Sequence, residues 1–178
     1  MKKLLKLRYL FLLVSCIIIF NSCSNEEEAG ILNNANANIT VGLVGFDNTS
    51  GVAFKSSKAE IIRTGTTLVI KGTEDGGKRY LSITLKNVLA IGRFDISKGN
   101  TNGNFATIGK DASKPTDETL NYTSDAVSAT GNVGGGSITI TKFTPTEIEA
   151  TFFIIGYNSS KMEAYAENGK FNGTIKII

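Results

Sequence analysis

Histidine and tryptophan are absent from this chain, and cysteine, proline and methionine occur only twice each. Without histidine the chain has no usual general base, no Ser-His or Cys-His pair and no imidazole ligand for zinc or iron. Carboxylate and lysine chemistry stay open, but the main hydrolytic routes are closed. Without tryptophan, stacking against a sugar ring would fall to tyrosine or phenylalanine. The two cysteines, Cys16 and Cys23, both lie near the N-terminus and offer no disulfide framework for the rest of the chain.

Those cysteines sit in the most informative stretch of the sequence. Lys2, Lys3, Lys6 and Arg8 make a basic start with no acidic residue before Glu26. An apolar run from Tyr9 to Phe20 follows, broken by Ser15 and Cys16. It falls short of the ~20 apolar residues of a membrane-spanning helix and has the form of a secretory signal. Asn21-Ser22-Cys23 then resembles a lipobox, which makes Cys23 the expected site of lipid attachment and residues 1–22 a cleaved signal. Cys16, after Leu13-Val14-Ser15, is the alternative. Cleavage there would leave Ile17-Ile18-Ile19-Phe20 at the new N-terminus and shorten the apolar run below the usual ~7–15 residues. Once Cys23 is lipidated no thiol remains, so disulfides, cysteine metal sites and thiol catalysis drop out. Two or three acyl chains at ~0.8 kcal/mol per buried methylene would hold the protein to a membrane persistently.

Ser24-Asn25-Glu26-Glu27-Glu28 resembles the short acidic export signal of surface-exposed lipoproteins in the Bacteroidota. The expected location is therefore the outer membrane, lipid-anchored and facing the exterior, with the periplasmic face as the alternative. Residues 23–38 are polar, acidic and then Asn/Ala-rich, a flexible tether able to reach roughly 50 Å at ~3.3 Å per residue. The signal holds four of the 19 basic residues, leaving 15 against 16 acidic ones, a near-neutral balance. That argues against nucleic acid as a partner, since phosphate binding needs a clustered basic surface.

From residue 39 to 178 the pattern is β throughout: short segments of alternating apolar and polar residues between Gly, Asn, Asp and Ser clusters. Glu74-Asp75-Gly76-Gly77 marks a hairpin, and Glu147 to Tyr157 is the strongest strand. Leu120 to Thr123 reads as an edge strand. Met162 to Ala166 and Lys170 to Ile178 read as two separate strands. Nine to ten short strands with closely spaced turns predict one all-β domain, a single antiparallel β-sandwich, with a lipocalin-like β-barrel as the alternative.

Three strings in the first half of the domain, Leu68-Val69-Ile70-Lys71-Gly72, Leu81-Ser82-Ile83-Thr84-Leu85 and Gly92-Arg93-Phe94, carry a resemblance. So do Gly136-Ser137-Ile138-Thr139-Ile140-Thr141, Ile148-Glu149-Ala150-Thr151-Phe152-Phe153 and Glu167-Asn168-Gly169-Lys170-Phe171 in the second half. Over about residues 52–175 the chain resembles an uncharacterised family of all-β lipoproteins of the Bacteroidota. Glu149-Ala150 replaces a glycine usual before Thr151, and Phe94 stands where tyrosine is common; both departures concern packing. The resemblance implies an envelope location and an all-β fold, and brings no active site.

Few residues suggest chemistry. Gly131-Asn132-Val133-Gly134-Gly135-Gly136 lacks the Lys-Ser/Thr and the following helix of a phosphate loop, so it reads as an inter-strand bend. Glu74, Asp75, Asp111, Asp117, Glu118 and Asp125 lack the spacing of a calcium loop and read as solvated turns. No catalytic residue, metal site or cofactor is expected. In Glu147 to Tyr157 one face is filled by Ile148, Ala150, Phe152 and Ile154. The other carries Phe153, Ile155 and Tyr157, a candidate binding patch for a glycan, a peptide or an envelope protein. The expected role is a non-enzymatic binding or structural module. The alternatives are an envelope hydrolase or inhibitor acting on glycans or proteins, or a small-ligand carrier should the domain be a hollow barrel.

Overall fold

The computed structural model describes residues 36–46 and 51–178. Cys16, Cys23 and the Ser24–Glu28 run therefore lie outside the described residues. Ten strands follow in chain order: β1 (Ala37–Val44), β2 (Val52–Thr64), β3 (Thr67–Thr73), β4 (Tyr80–Leu85) and β5 (Gly92–Asp95), then β6 (Phe105–Gly109), β7 (Asn121–Thr123), β8 (Gly135–Phe143), β9 (Glu147–Tyr157) and β10 (Glu163–Ile177). The all-β reading holds, and Glu147–Tyr157 is a strand with the bounds expected from its alternation.

The sheet closes. β1 pairs with β2, and the ladder continues through β3, β4, β6, β7 and β9 to β10, which pairs again with β1. The result is an eight-stranded barrel, not the sandwich given first place by the sequence reading. A sandwich needs two sheets with free edges, whereas here one sheet meets itself. The strand expected at an edge does the closing: β7 pairs with β6 on one side and meets β9 through Thr123 and Tyr157 on the other. β8 runs along the remainder of the same edge of β9, and β5 lies beyond β8. Asn104, 2% exposed, secures that region with its side chain. Its Oδ1 accepts from the Lys86 N–H at 2.8 Å and its Nδ2 donates to the Asp95 carbonyl at 3.0 Å.

Two further departures have local causes. The segments expected as separate strands near the C-terminus are one strand, because Glu167-Asn168 forms a bulge and not a turn. The register shifts between Ala166 and Gly169, and Asn168 takes a positive φ of 55°. The sheet is also not wholly antiparallel. Ile175, Lys176 and Ile177 pair in parallel with Ile61, Ile62 and Arg63, in the fork that opens beyond Ala37, where β1 begins. Pairing starts at Ala37, two residues before the boundary expected at residue 39.

Alternation along each strand produces an inside and an outside. Leu68, Ile70, Ile83, Leu85, Ala106 and Ile108 from adjacent strands point inward and are fully shielded from water. Side chains without water-accessible surface border no water-sized void, so the barrel is filled here. Phe152 and Phe171 pack at 6.1 Å between ring centroids, and Phe46 meets Tyr122 at 5.5 Å. The hollow interior that a carrier would need is therefore not formed by these residues.

Gly134, Gly135 and Gly136 are spacers in a crowded crossing. A β-carbon on each would come within 2.6 Å of the Ser124 carbonyl oxygen, 2.7 Å of Ser97 Oγ and 2.1 Å of the Phe153 carbonyl oxygen respectively. Close approach of backbones explains this glycine run without any phosphate.

Candidate functional site

The described part of the barrel carries a broad concave surface on its outer wall. Outward-facing residues of neighbouring strands line up in direct register: Ser82 opposite Thr107, Thr107 opposite Thr123, and Thr123 opposite Tyr157. This row floors a cleft of about 810 Å³. The 110–120 loop adds Pro115, Thr116 and Glu118 to the lining, and the β9–β10 hairpin adds Asn158, Ser159 and Lys161. The two meet where the Ser159 N–H donates to the Glu118 carbonyl at 3.0 Å, and Tyr80 and Asn121 complete the lining.

Each wall is held by hydrogen bonds that originate in turn chemistry. Asp111 and Asp117 each accept the backbone N–H and the hydroxyl of the residue two positions on, Ser113 and Thr119. Such self-bonded turns let residues 110–120 form a loop without regular structure. The loop is tied down at two points. Asn121 Nδ2 donates to the Pro115 carbonyl at 2.8 Å, and Asn158 Nδ2 donates to the Thr119 carbonyl at 2.7 Å. Lys161, at a positive φ of 65°, closes the β9–β10 hairpin with its N–H on the Asn158 carbonyl.

The aromatic residues are positioned as firmly. The Tyr80 ring lies over Gly109, in the space a side chain there would occupy, and its hydroxyl donates to Asn121 Oδ1 at 3.0 Å. Partial burial pushes the Tyr80 phenol upward from its usual pKa. Tyr157 is raised by burial and by its hydrogen bond to Glu163, and the same carboxylate accepts from Tyr165. The Tyr165 phenol is pushed up to about 12, first by that bond and then by burial.

The floor is chemically open. The hydroxyls of Ser82 and Thr107 make no hydrogen bond among the described residues, and Glu118 and Lys161 form no ion pair there. Glu118 is the one carboxylate in the lining, and Lys161 the one cation.

The patch expected from the sequence is divided. Phe153 is exposed at 42% and Ile155 is half-buried; with Tyr165 they line a shallow hollow. Tyr157, only 3% exposed, belongs instead to the hydroxyl-lined cleft. The acidic residues do not converge: among the described residues no group of three could hold a metal ion. Asp75 instead accepts from the N–H and hydroxyl of Ser57, and Glu74 is paired with Arg79. Tyr80, Ser82, Thr107 and Thr123 were not legible as site residues. Their only sequence signal is that each falls on the polar face of its strand.

The cleft also has a definite place along the barrel. Its framing loops follow β6 and β9, which run in the same direction as β1. They therefore lie at the end where β1 finishes, whereas the chain enters β1 at the other end. No family model, no curated protein and no solved structure matches this chain.

Proposed function

We propose that this protein is a lipid-anchored module of the outer membrane, facing the cell exterior, whose β-barrel binds a ligand on its outer wall. The observation that carries the reading is the cleft floored by Ser82, Thr107, Thr123 and Tyr157, whose framing loops lie at the end of the barrel opposite the start of β1. A filled barrel offers its ligand the exterior, and the cleft lies at the end of the barrel opposite the start of β1 at Ala37. The basic start, apolar run and Cys23 support the anchor, and the acidic residues after Cys23 support display outside. Binding is favoured over hydrolysis because the cleft lining supplies only Glu118, whereas glycoside hydrolysis commonly needs two carboxylates.

Protease shaving of intact cells tests the location, with wild type beside Cys23→Ala and a triple Glu26, Glu27, Glu28→Ala variant. Loss of wild type on shaving, protection of the acidic-run variant and release of the Cys23 variant into the soluble fraction are expected. Protection of the wild type in intact cells would overturn display at the exterior. Retention of Cys23→Ala in the membrane would overturn the anchor.

A further inference from the structure

We infer that the cleft takes a neutral oligosaccharide, laid across β4, β6, β7 and β9 with sugar hydroxyls on the Ser82–Thr107–Thr123 row and a ring against Tyr80. The inference rests on the binding reading above and assigns its ligand class.

Four features of the lining select this chemistry. Serine and threonine hydroxyls both donate and accept, as sugar hydroxyls do, and those of Ser82 and Thr107 are uncommitted. They recur on β4, β6 and β7, so from Ser82 to Thr123 the row spans two inter-strand spacings, ~10 Å. That is the reach of a short oligosaccharide rather than of one sugar. Tyr80 supplies an apolar ring on the wall, pinned between Gly109 and Asn121 and so ordered before any ligand arrives. Charge in the lining is balanced, one carboxylate against one ammonium, which suits neither a polyanion nor a polycation.

The same features disfavour other occupants. An extended peptide would use a free strand edge, but β4, β6 and β7 are each paired on both sides where they floor the cleft. An apolar ligand would leave the floor hydroxyls buried and unpaired. The Phe153–Ile155–Tyr165 hollow is a separate surface, and nothing there identifies an occupant.

The test uses the full chain in detergent. Because the protein has no tryptophan, its intrinsic fluorescence reports tyrosine, and Tyr80 stands in the cleft. The probes are neutral tetrasaccharides of β-linked glucose, α-linked mannose and β-linked N-acetylglucosamine. A sulfated tetrasaccharide and an extended neutral peptide serve as competitors. At least one neutral tetrasaccharide is expected to bind and change tyrosine emission. Thr107→Val and Ser82→Ala should each weaken it by roughly 3- to 10-fold, the loss of one hydrogen bond. Tyr80→Ala should weaken it further, and Phe153→Ala should leave it unchanged. Absence of binding by all three sugars, unchanged affinity in Thr107→Val and Ser82→Ala, or preference for the sulfated sugar or the peptide would each overturn the inference. Shaving and sugar binding are read independently. A surface-displayed protein that ignores the sugars loses this inference alone, and a sugar binder protected from shaving loses only the location.

Discussion

A β-carbon added to Gly109 would lie 1.8 Å from Cε1 of Tyr80. The two residues are direct cross-strand partners of β6 and β4, and the ring of one fills the gap left by the other. The absent side chain at residue 109 is thus what lets the aromatic wall of the cleft lie against the sheet.

Gly109→Ala should therefore expel the ring and cost about 1–3 kcal/mol, the usual penalty of overpacking. Denaturant unfolding checks the cost. Tyr80→Ala removes the obstacle, so the double variant should be more stable than the sum of the two single effects predicts. Simple additivity would show that the ring and the glycine do not share one space.

Ser56 presents the opposite problem. Its hydroxyl is fully buried and has no hydrogen-bond partner among the described residues, and on the barrel's inner face it lies between its cross-strand partner Ile39 on β1 and Gly72 on β3. A buried donor without a partner costs about 1–3 kcal/mol, so Ser56→Ala should stabilise the domain by about 1 kcal/mol. A higher denaturation midpoint with an unchanged slope is the expected result. A lower midpoint would mean that the hydroxyl makes a bond in solution.

Tyr165 gives the barrel an alkaline signature. Its phenol rises from 10.0 to about 12, chiefly through its bond to Glu163. A raised folded-state pKa contributes stability that is complete below the unfolded value of 10.0 and is lost as the pH climbs through about 12. Ultraviolet titration of phenolate should show Tyr165 titrating later than the less strongly raised Tyr80 and Tyr157, and Glu163→Gln should return it toward 10.0. An unmoved titration in that variant would remove Glu163 as the cause.

Acid acts through the turns. The Asp95, Asp111 and Asp117 carboxylates are each held below the usual 3.8, first by the hydroxyl and then by the N–H of Ser97, Ser113 and Thr119. Depressed values contribute stability above 3.8 that disappears as the pH falls through the folded-state values. The melting temperature should fall on acidification from about pH 5 to about pH 3, and a triple Asp→Asn variant should flatten that fall. An equally steep fall in the variant would place the acid-sensitive groups elsewhere.

What the sequence determined by itself is local. Period-two alternation placed Ile148, Ala150, Phe152 and Ile154 on one face of β9, and all four are buried. Glu74-Asp75-Gly76-Gly77 reads as a hairpin because glycine permits the positive φ that Gly76 adopts, and β3 and β4 do pair across it. Such features depend on neighbours in the chain, and so they show in its residue pattern. Closure does not. Alternation is the same for a strand in a sandwich and in a barrel, and Leu120 to Thr123 is too short to announce that it joins β6 to β9. The bulge at Glu167-Asn168 looks like a turn until β1 and β9 hold both halves of β10 in one ladder. Tyr157 alternates outward like Phe153, yet it is buried, next to the point where Asn158 bonds the 110–120 loop. The cleft belongs wholly to tertiary structure. Ser82, Thr107, Thr123 and Tyr157 are scattered over four strands, and only the register of the closed sheet sets them side by side.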